Sequence, residues 1–398
     1  MSSTAVLVAT LTEKPSEASL TVLSGRVQIL EWRADLAGEA DSDWLRSHFA
    51  GELLYTLRSR AEGGRSEASL ERRHQRLKQA AAGFDLVDLE VDRDMDPDLL
   101  AAVKPSSRVI SWHGGPKNLG ELQKVFARQH EVEARYYKVI SEAEQPGQEV
   151  VPLALLHSLG RDDVISFATG EIGTWTRWIA PRLGAPVVFG GAGNEPAAPG
   201  QPSVQDLIGD YGLPDLPSVN RLYGIVGTNV SQSLSPRIHN HAYRRLGLEG
   251  LYLPFHVEAF GDFWLEVVES GTFGELGFEL EGLSVTSPFK RVAVAVGGAV
   301  SPLSEWTGSA NTLFRREGTW QADSTDGMGV IGPIRARGLQ LAGRSVAIVG
   351  AGGAGRAAAA ALSAEGAEVR FRSAAICRRF GWRISMRPWE VWITEVIH

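Results

Sequence analysis

The chain of 398 residues has one cysteine, Cys377, and only four methionines. A single thiol rules out an internal disulfide and a thiolate metal cluster, and gives no sign of an oxidising compartment; no metal is expected. A basic excess is also missing. Lys and Arg number 40 against 47 Asp and Glu, leaving a net charge of -7; this argues against nucleic acid as the partner. No run approaches the roughly 20 apolar residues of a membrane span. Met1 to Lys14 has a short apolar run but lacks the basic n-region of a secretion signal, so the expected setting is cytoplasmic, with no membrane partner. What is there is ordinary for globular protein, 43% hydrophobic and 22% charged, with length for two or three domains.

Apolar, β-branched runs recur at Ala5 to Leu11, Gln28 to Trp32, Leu53 to Leu57, Leu86 to Glu90, Val109 to Trp112, Ala134 to Ile140, Val164 to Ala168 and Pro186 to Phe189. Helical patterns lie between them, clearest at Leu119 to Gln129 and Glu67 to Ala82, where Leu70, Leu77 and Ala81 share one face and Arg72, Arg73 and Lys78 the other. Eight strands alternating with helices over about 200 residues predict a (β/α)8 TIM barrel. In that fold the chemistry sits at the C-terminal ends of the strands. The residues expected there are Glu31 and Arg33, Arg58, Asp88 and Glu90, His113, Lys138, Arg177 and Gln201.

Lys138 lies inside Ala-Arg-Tyr-Tyr-Lys-Val-Ile, a strand with both faces covered. An ammonium there is desolvated unless used or paired; desolvation lowers its pKa, and a neutral amine in a pocket can form a Schiff base with a ketone. The alternative is a lysine at a frayed strand end that reaches water. His113, on the neighbouring strand, suits a general base, and otherwise a hydrogen-bonded structural histidine. Arginines gathered at one rim of an acidic protein suit a carboxylate ligand.

Six ordered segments carry a resemblance over residues 1 to 212: Glu31-Trp32-Arg33-Ala34-Asp35; Thr56-Leu57-Arg58 with Glu62-Gly63-Gly64; Val87-Asp88-Leu89-Glu90; Ile110-Ser111-Trp112-His113; Tyr137-Lys138-Val139; and Ala198-Pro199-Gly200-Gln201. Together they resemble type I 3-dehydroquinate dehydratase. The resemblance implies dehydration of 3-dehydroquinate to 3-dehydroshikimate without a cofactor. Lys138 would form the imine, His113 would move the proton beside it and Glu62 would orient His113. Glu31, Arg33, Arg58, Arg177 and Gln201 would hold the hydroxyls and carboxylate. Two departures stand out: Gly114-Gly115 follows His113 where the family usually has Asp-Phe, and Ala197 replaces a common substrate-binding serine. Other readings are a class I Schiff-base aldolase and a non-catalytic sensor of pathway intermediates. The Glu-Trp-Arg and Pro-Gly-Gln loops speak against the aldolase, and the retained Lys138 and His113 against the sensor.

Tyr211 to Asn220, with Pro214 and Pro217, reads as a linker. Beyond it, strands are expected at Leu222 to Val226 and Leu283 to Thr286. A helix over Arg237 to Leu246 would be capped by Ser235-Pro236; Pro288 would start one carrying Lys290, and Glu317-Gly318 would turn a hairpin. The segments Gly227 to Pro236 with His239-Asn240, Ser284 to Lys290, Gly308 to Thr312 and Ser324 to Gly329 resemble shikimate dehydrogenase, in which Ser284 replaces a common asparagine. The resemblance implies reduction of 3-dehydroshikimate to shikimate with NADP. Ser233, Ser235, Thr286 and Asn311 would bind shikimate, and Lys290 and Asp326 would be the proton-transferring pair. Residues 222–330 would form the substrate domain.

The run Ser345 to Ala361 reads strand, tight turn, helix, and Gly350, Gly352, Gly353 and Gly355 fit a dinucleotide fingerprint. Residues 340–369 therefore read as the start of a Rossmann NADP-binding domain. After Val369, Arg370 and Arg372 are expected to break the strand, and residues 370–398 read as an aberrant tail. Its Arg378, Arg379, Arg383 and Arg387 among Trp382, Trp389 and Trp392 look like translation in a shifted frame, or else a divergent arginine-rich arm. The expectation is a working dehydratase fused to an impaired dehydrogenase. Its partners would be small molecules, with a homodimer as the candidate assembly.

Overall fold

The computed structural model describes residues 4–372, apart from Ser24, Asn194 and Glu195. Most of the expected tail thus lies outside the described residues. The chain divides into two compact units, residues 4–222 with 231–280, and residues 223–230 with 281–372. These bounds cut the expected 222–330 domain. Residues 231–280 group with the first unit because Arg237 Nε donates to Asp210 Oδ1 at 2.6 Å, Arg244 donates to the carbonyls of Gly209 and Asp210, and Phe255 and Phe273 pack on Trp175 with centroids 5.3 and 5.6 Å away.

In the first unit β1 (Val6–Leu11), β2 (Ile29–Arg33), β3 (Glu52–Thr56), β4 (Leu86–Glu90), β5 (Arg108–Gly114), β6 (Tyr136–Glu142), β7 (Val164–Thr169) and β8 (Val187–Gly191) match the expected strands to within two residues at each end. All pair in parallel, in the order β7-β6-β5-β4-β3-β2-β1-β8. This is a near-closed eight-stranded barrel, hydrogen-bonded everywhere except between β7 and β8. Every residue of β2, β4 and β8 is buried, as parallel strands covered on both faces require. Because side chains alternate, Glu31 and Arg33, Ser111 and His113, and Lys138 and Ile140 share the inner side, while Trp32, Trp112 and Tyr137 point away from it.

The helix Leu119–Gln129 is as expected, closed at its start by a capping box between Asn118 and Glu121. The helix Leu70–Gly83 turns differently from its apolar pattern: Leu70 is 51% exposed, and Arg73 is buried with Leu77 and Ala80. The reason lies across the chain, where Arg73 makes a two-pronged ion pair with Asp94 and donates to the carbonyl of Leu57.

Residues 231–280 contribute the helix Ser235–Leu246 and β10 (Gly250–His256), which follow β9 (Arg221–Gly227) in the chain. Ser235 is the first residue of its helix and not the cap: Leu234 holds the cap position, and the Ser235 N–H donates to Ser233 Oγ at 3.2 Å.

In the second unit β9, β11 (Glu279–Val285), β13 (Thr312–Arg316), β14 (Thr319–Asp323) and the two-residue β12 (Ala299–Val300) follow one another in a sheet in the order β9-β11-β13-β14-β12. The β13–β14 hairpin turns at Glu317 and Gly318, both with positive φ, 54° and 79°, which is the backbone a tight hairpin needs. Lys290 is not on a helix as expected; it lies in the turn before the helix Val292–Val296.

The fingerprint has its expected form, with β15 (Ser345–Val349), a turn, and the helix Gly353–Ala364. Gly350 has φ 99°, and a Cβ on Gly355 would lie 2.5 Å from the Gly350 carbonyl oxygen, while Gly352 faces open space. Ile331, Ile334, Leu341, Val346 and Leu362 form the core beneath. The strand after the helix does not break at the arginines. β16 (Glu368–Arg372) pairs in parallel with β15 through Arg372; backbone pairing tolerates Arg370 because its side chain stays in solvent, 60% exposed.

Candidate active site

A cavity of about 360 Å³ opens within the barrel, and Glu31, Arg33, Arg58, Glu62, His113, Lys138, Arg177 and Gln201 all line it. Their positions follow from strand alternation, which sends one inward residue after another to the same end of the barrel.

Glu31 is fixed between two threonines, accepting from Thr10 Oγ1 at 2.7 Å and Thr56 Oγ1 at 2.8 Å. Gln201 donates to Thr10 Oγ1 at 3.2 Å and accepts from the Ala197 N–H at 2.9 Å, which ties the loop after β8 to β1. The three arginines differ. Arg33 is paired with Asp35 through two hydrogen bonds of 2.9 and 2.8 Å. Arg58 is surrounded, donating to Glu62 at 2.9 Å, Asp88 at 2.9 Å, Glu90 at 3.4 Å and Ser111 at 2.8 Å. Asp88 and Glu90, expected at the strand ends, thus face this guanidinium and not the cavity. Arg177 is buried with no ion pair among the described residues; it lies over the Phe167 ring at 4.4 Å, its Nε has no partner, and burial pulls its pKa down to about 10.

Lys138 is 6% exposed and makes no side-chain hydrogen bond or ion pair among the described residues; its Nζ sits 4.0 Å above the centre of the Phe189 ring. Burial lowers its pKa, opposed by the carboxylates of Glu31 and Asp88 and reinforced by the cations Arg58 and Arg33. On the adjacent strand, where Ser111 is in register with Lys138, the His113 ring also loses basicity through burial and the same ring of cations, to well below the ordinary histidine range. Glu62 Oε2 meets both the His113 N–H at 3.0 Å and Nδ1 at 3.1 Å. With Nδ1 holding the proton towards Glu62, Nε2 is left as the acceptor. Burial pushes Glu62 up to about 8, with Arg58 opposing and Glu90 and Asp88 adding to the rise.

The sequence did not single out Thr10, Thr56, Ser111, Phe167 or Phe189, which fix or cover the polar groups. Hydroxyls and rings of this kind carry no spacing signal of their own; only the inward parity of each strand would have flagged them.

In the second unit Lys290 Nζ lies 2.7 Å from Asp326 Oδ2, and Asn311 Nδ2 donates to Asp326 Oδ1 at 2.9 Å. These three are brought together as expected. The Lys290 carbonyl accepts from the Ala310 N–H at 2.8 Å, and a Cβ on Gly353 would lie 2.2 Å from Ser309 Oγ and 3.3 Å from the Lys290 Cβ; the fingerprint helix therefore starts against the turn that holds the lysine. Thr286 follows β11, its N–H donating to the Val226 carbonyl at 2.9 Å. Ser233 and Ser235 belong to the other unit. Open space at Gly352 and a 12-residue helix whose N-terminus has no side-chain cap fit a pyrophosphate, held by backbone N–H groups and the helix dipole.

A parallel barrel with a desolvated lysine, a carboxylate-held histidine and an unpaired arginine in one cavity defines a class of barrel suited to imine chemistry on anionic ketones. Residues 4–214 match the type I 3-dehydroquinase family, and the chain belongs to that family. Residues 225–313 match the shikimate dehydrogenase substrate binding domain. Among relatives, a chloroplastic bifunctional 3-dehydroquinate dehydratase/shikimate dehydrogenase of Arabidopsis thaliana is 28% identical over 365 residues, covering 85% of this chain and 58% of that protein. A shikimate dehydrogenase (NADP(+)) of Jannaschia sp. is 37% identical over 178 residues, covering 42% of this chain and 62% of its own length. A solved dehydroquinate dehydratase and shikimate dehydrogenase from S. pombe is 21% identical with a TM-score of 0.44, covering 95% of this chain and 76% of that one. The chain thus spans less than two thirds of the length of these two sequence relatives. Among the described residues no helix is long and apolar enough to cross a membrane.

Proposed function

We propose that the barrel dehydrates 3-dehydroquinate to 3-dehydroshikimate through an imine on Lys138. The observation that carries this reading is the buried Lys138 amine, without a hydrogen-bond or ion-pair partner among the described residues, in the same cavity as the Arg177 guanidinium, which has no ion pair among them. A buried cation without a counter-charge is costly, and a substrate carboxylate supplies what Arg177 lacks. Glu31, Arg33, Arg58 and Gln201 complete the binding set. Arg58 acts mainly by holding Glu62 in place, while Glu31 keeps lone pairs for substrate hydroxyls beside its two threonines.

The neutral Lys138 amine attacks the ketone, and water leaves as the imine forms. His113 Nε2 takes the proton from the adjacent carbon, with Glu62 holding the ring. The same proton then goes to the departing hydroxyl, giving a conjugated product. Hydrolysis of the imine returns the amine. Sodium borohydride added with 3-dehydroquinate tests the proposal: the expected result is a stable adduct on Lys138 and loss of activity, and adduct formation that survives Lys138→Ala would refute it.

The second unit reads as the dehydrogenase partner of this barrel, acting on 3-dehydroshikimate and shikimate with impaired turnover. Lys290 and Asp326 move the proton at the substrate oxygen, and Asn311 and Thr286 hold shikimate hydroxyls. NADP would supply the hydride when bound, with Gly350, Gly352, Gly353 and Gly355 holding its pyrophosphate. The acidic charge and single cysteine support a cytoplasmic setting, small molecules as the ligands and no nucleic-acid or membrane partner; a homodimer is the proposed assembly.

A further inference from the structure

A second cavity, of about 440 Å³, touches the His113–Glu62 pair from another side, lined as well by Leu70, Asp92, Arg93 and Trp112. Trp112 points away from the barrel interior, opposite to His113 on the same strand. This space lies at the outer rim of the barrel, beyond the C-terminal ends of β3, β4 and β5, and the catalytic pair lines both cavities. One oxygen of Glu62, Oε1, is buried without a partner, although Oε2 meets Arg58 and His113. Asp92 and Arg93 make the second cavity polar enough to hold water, which needs hydrogen-bonding walls.

We propose that this outer cavity is the water route of the barrel reaction, delivering the water that hydrolyses the imine past Glu62 and His113. The inference rests on the dehydratase reading above. During one turnover imine formation releases a water, elimination releases a second, and hydrolysis consumes one. In hydrolysis the water oxygen bonds to the imine carbon, its protons pass to His113 and the nitrogen, the C–N bond breaks, and Lys138 departs as a free amine. No oxidant or reductant is involved. Through these steps the ligand is covalently bound to Lys138 in the inner cavity, and water that comes by way of the catalytic pair need not pass the bound ring. It also arrives beside the group that must deprotonate it.

The test uses the full chain with 3-dehydroquinate, quenched with borohydride during steady-state turnover, the reduced fraction being read by mass. Leu70→Trp fills the outer cavity without touching the inner one. The expected result is an adduct fraction at least twofold above wild type, with kcat and KM falling together. kcat/KM should stay unchanged, because it reports steps up to the elimination and not the later hydrolysis. Leu70→Ala, which leaves the cavity open, should match wild type. Arg93→Trp serves in place of Leu70→Trp if that variant does not fold. A folded Trp variant with wild-type adduct fraction and kcat would overturn the route while leaving the dehydratase reading intact; a wild-type chain that forms no adduct would overturn both.

Discussion

Lys138 lies on a barrel strand with both faces covered and finds no carboxylate partner, whereas Lys290 sits in a turn 2.7 Å from one. The side chain is the same, but one is arranged to lose its proton and the other to share one. In the barrel, of the two carboxylates that act on the lysine, Asp88 is taken up by Arg58 and Glu31 is held between Thr10 and Thr56, and neither forms a salt bridge with it. In the second unit nothing intervenes, and Asn311 holds Asp326 in place for Lys290. What decides a lysine's chemistry is therefore what else holds the carboxylates around it, as much as how deep the lysine lies.

The largest expected effect breaks the barrel side of this contrast. Lys138→Ala should remove dehydration by about 10⁴-fold or more, the scale seen when a covalent nucleophile is lost, as followed by the absorbance of the conjugated product. The equivalent break in the second unit is Lys290→Met, expected to lower the already impaired NADP-linked turnover of shikimate by about 10² to 10⁴, the usual worth of a general acid or base. Dehydration by that variant should stay within about twofold of wild type, since each lysine serves its own unit. A large loss of dehydration in Lys290→Met would show that the two sites are not separable.

Arg177 sharpens the comparison from the ligand's side. Arg177→Met should raise KM for 3-dehydroquinate about 10- to 100-fold, the cost of one charge-assisted hydrogen bond of roughly 1.5–3 kcal/mol, with a smaller change in kcat. Arg33 and Arg58 already have carboxylate partners in the protein, so their replacement should also cost stability. Chemical denaturation separates the two outcomes.

The ring of charges gives a pH test. Imine formation needs the neutral amine, so the acid limb of kcat/KM rises as Lys138 loses its proton, and it should lie below the 10.5 of an ordinary lysine. The Glu31 carboxylate favours the charged amine and holds that limb up. Glu31→Gln removes the negative charge and should move the limb to lower pH, whatever it does to binding. A limb that moves up would mean that Lys138 is not the titrating group.

How far these arrangements could be read without coordinates depended on the range of the forces involved. β4 and the helix Leu119–Gln129 end where local pattern and capping residues put them. The places of Lys138 and His113 in the cavity wall were legible because strand parity and strand-end position are local properties. Arg73 was misread as a solvent-facing charge because its partner Asp94 is 21 residues away. The turn around Lys290 was read as helix because proline commonly starts one, although here the helix begins only at Val292. β16 was expected to break at Arg370 and Arg372 because two arginines interrupt its apolar run, but parallel pairing with β15 continues through the backbone.

The smallest effect concerns Ala197, which lines the inner cavity without a polar side chain. Its backbone is held at both ends: the N–H donates to Gln201 Oε1 at 2.9 Å, and the carbonyl accepts from Arg33 Nη1 at 3.3 Å. A serine here would thus keep its main chain in place and add one hydroxyl to the cavity wall. If no other group serves the substrate atom that this hydroxyl would reach, Ala197→Ser should tighten 3-dehydroquinate binding by about 0.5–1.5 kcal/mol, the net worth of one hydrogen bond, or roughly two- to tenfold in KM. Gln201 is the residue to watch, because its amide already reaches across to Thr10 and to the Ala197 backbone. An unchanged KM in Ala197→Ser together with a large rise in Gln201→Ala would assign that contact to Gln201, and show that the loop after β8 covers for the missing hydroxyl.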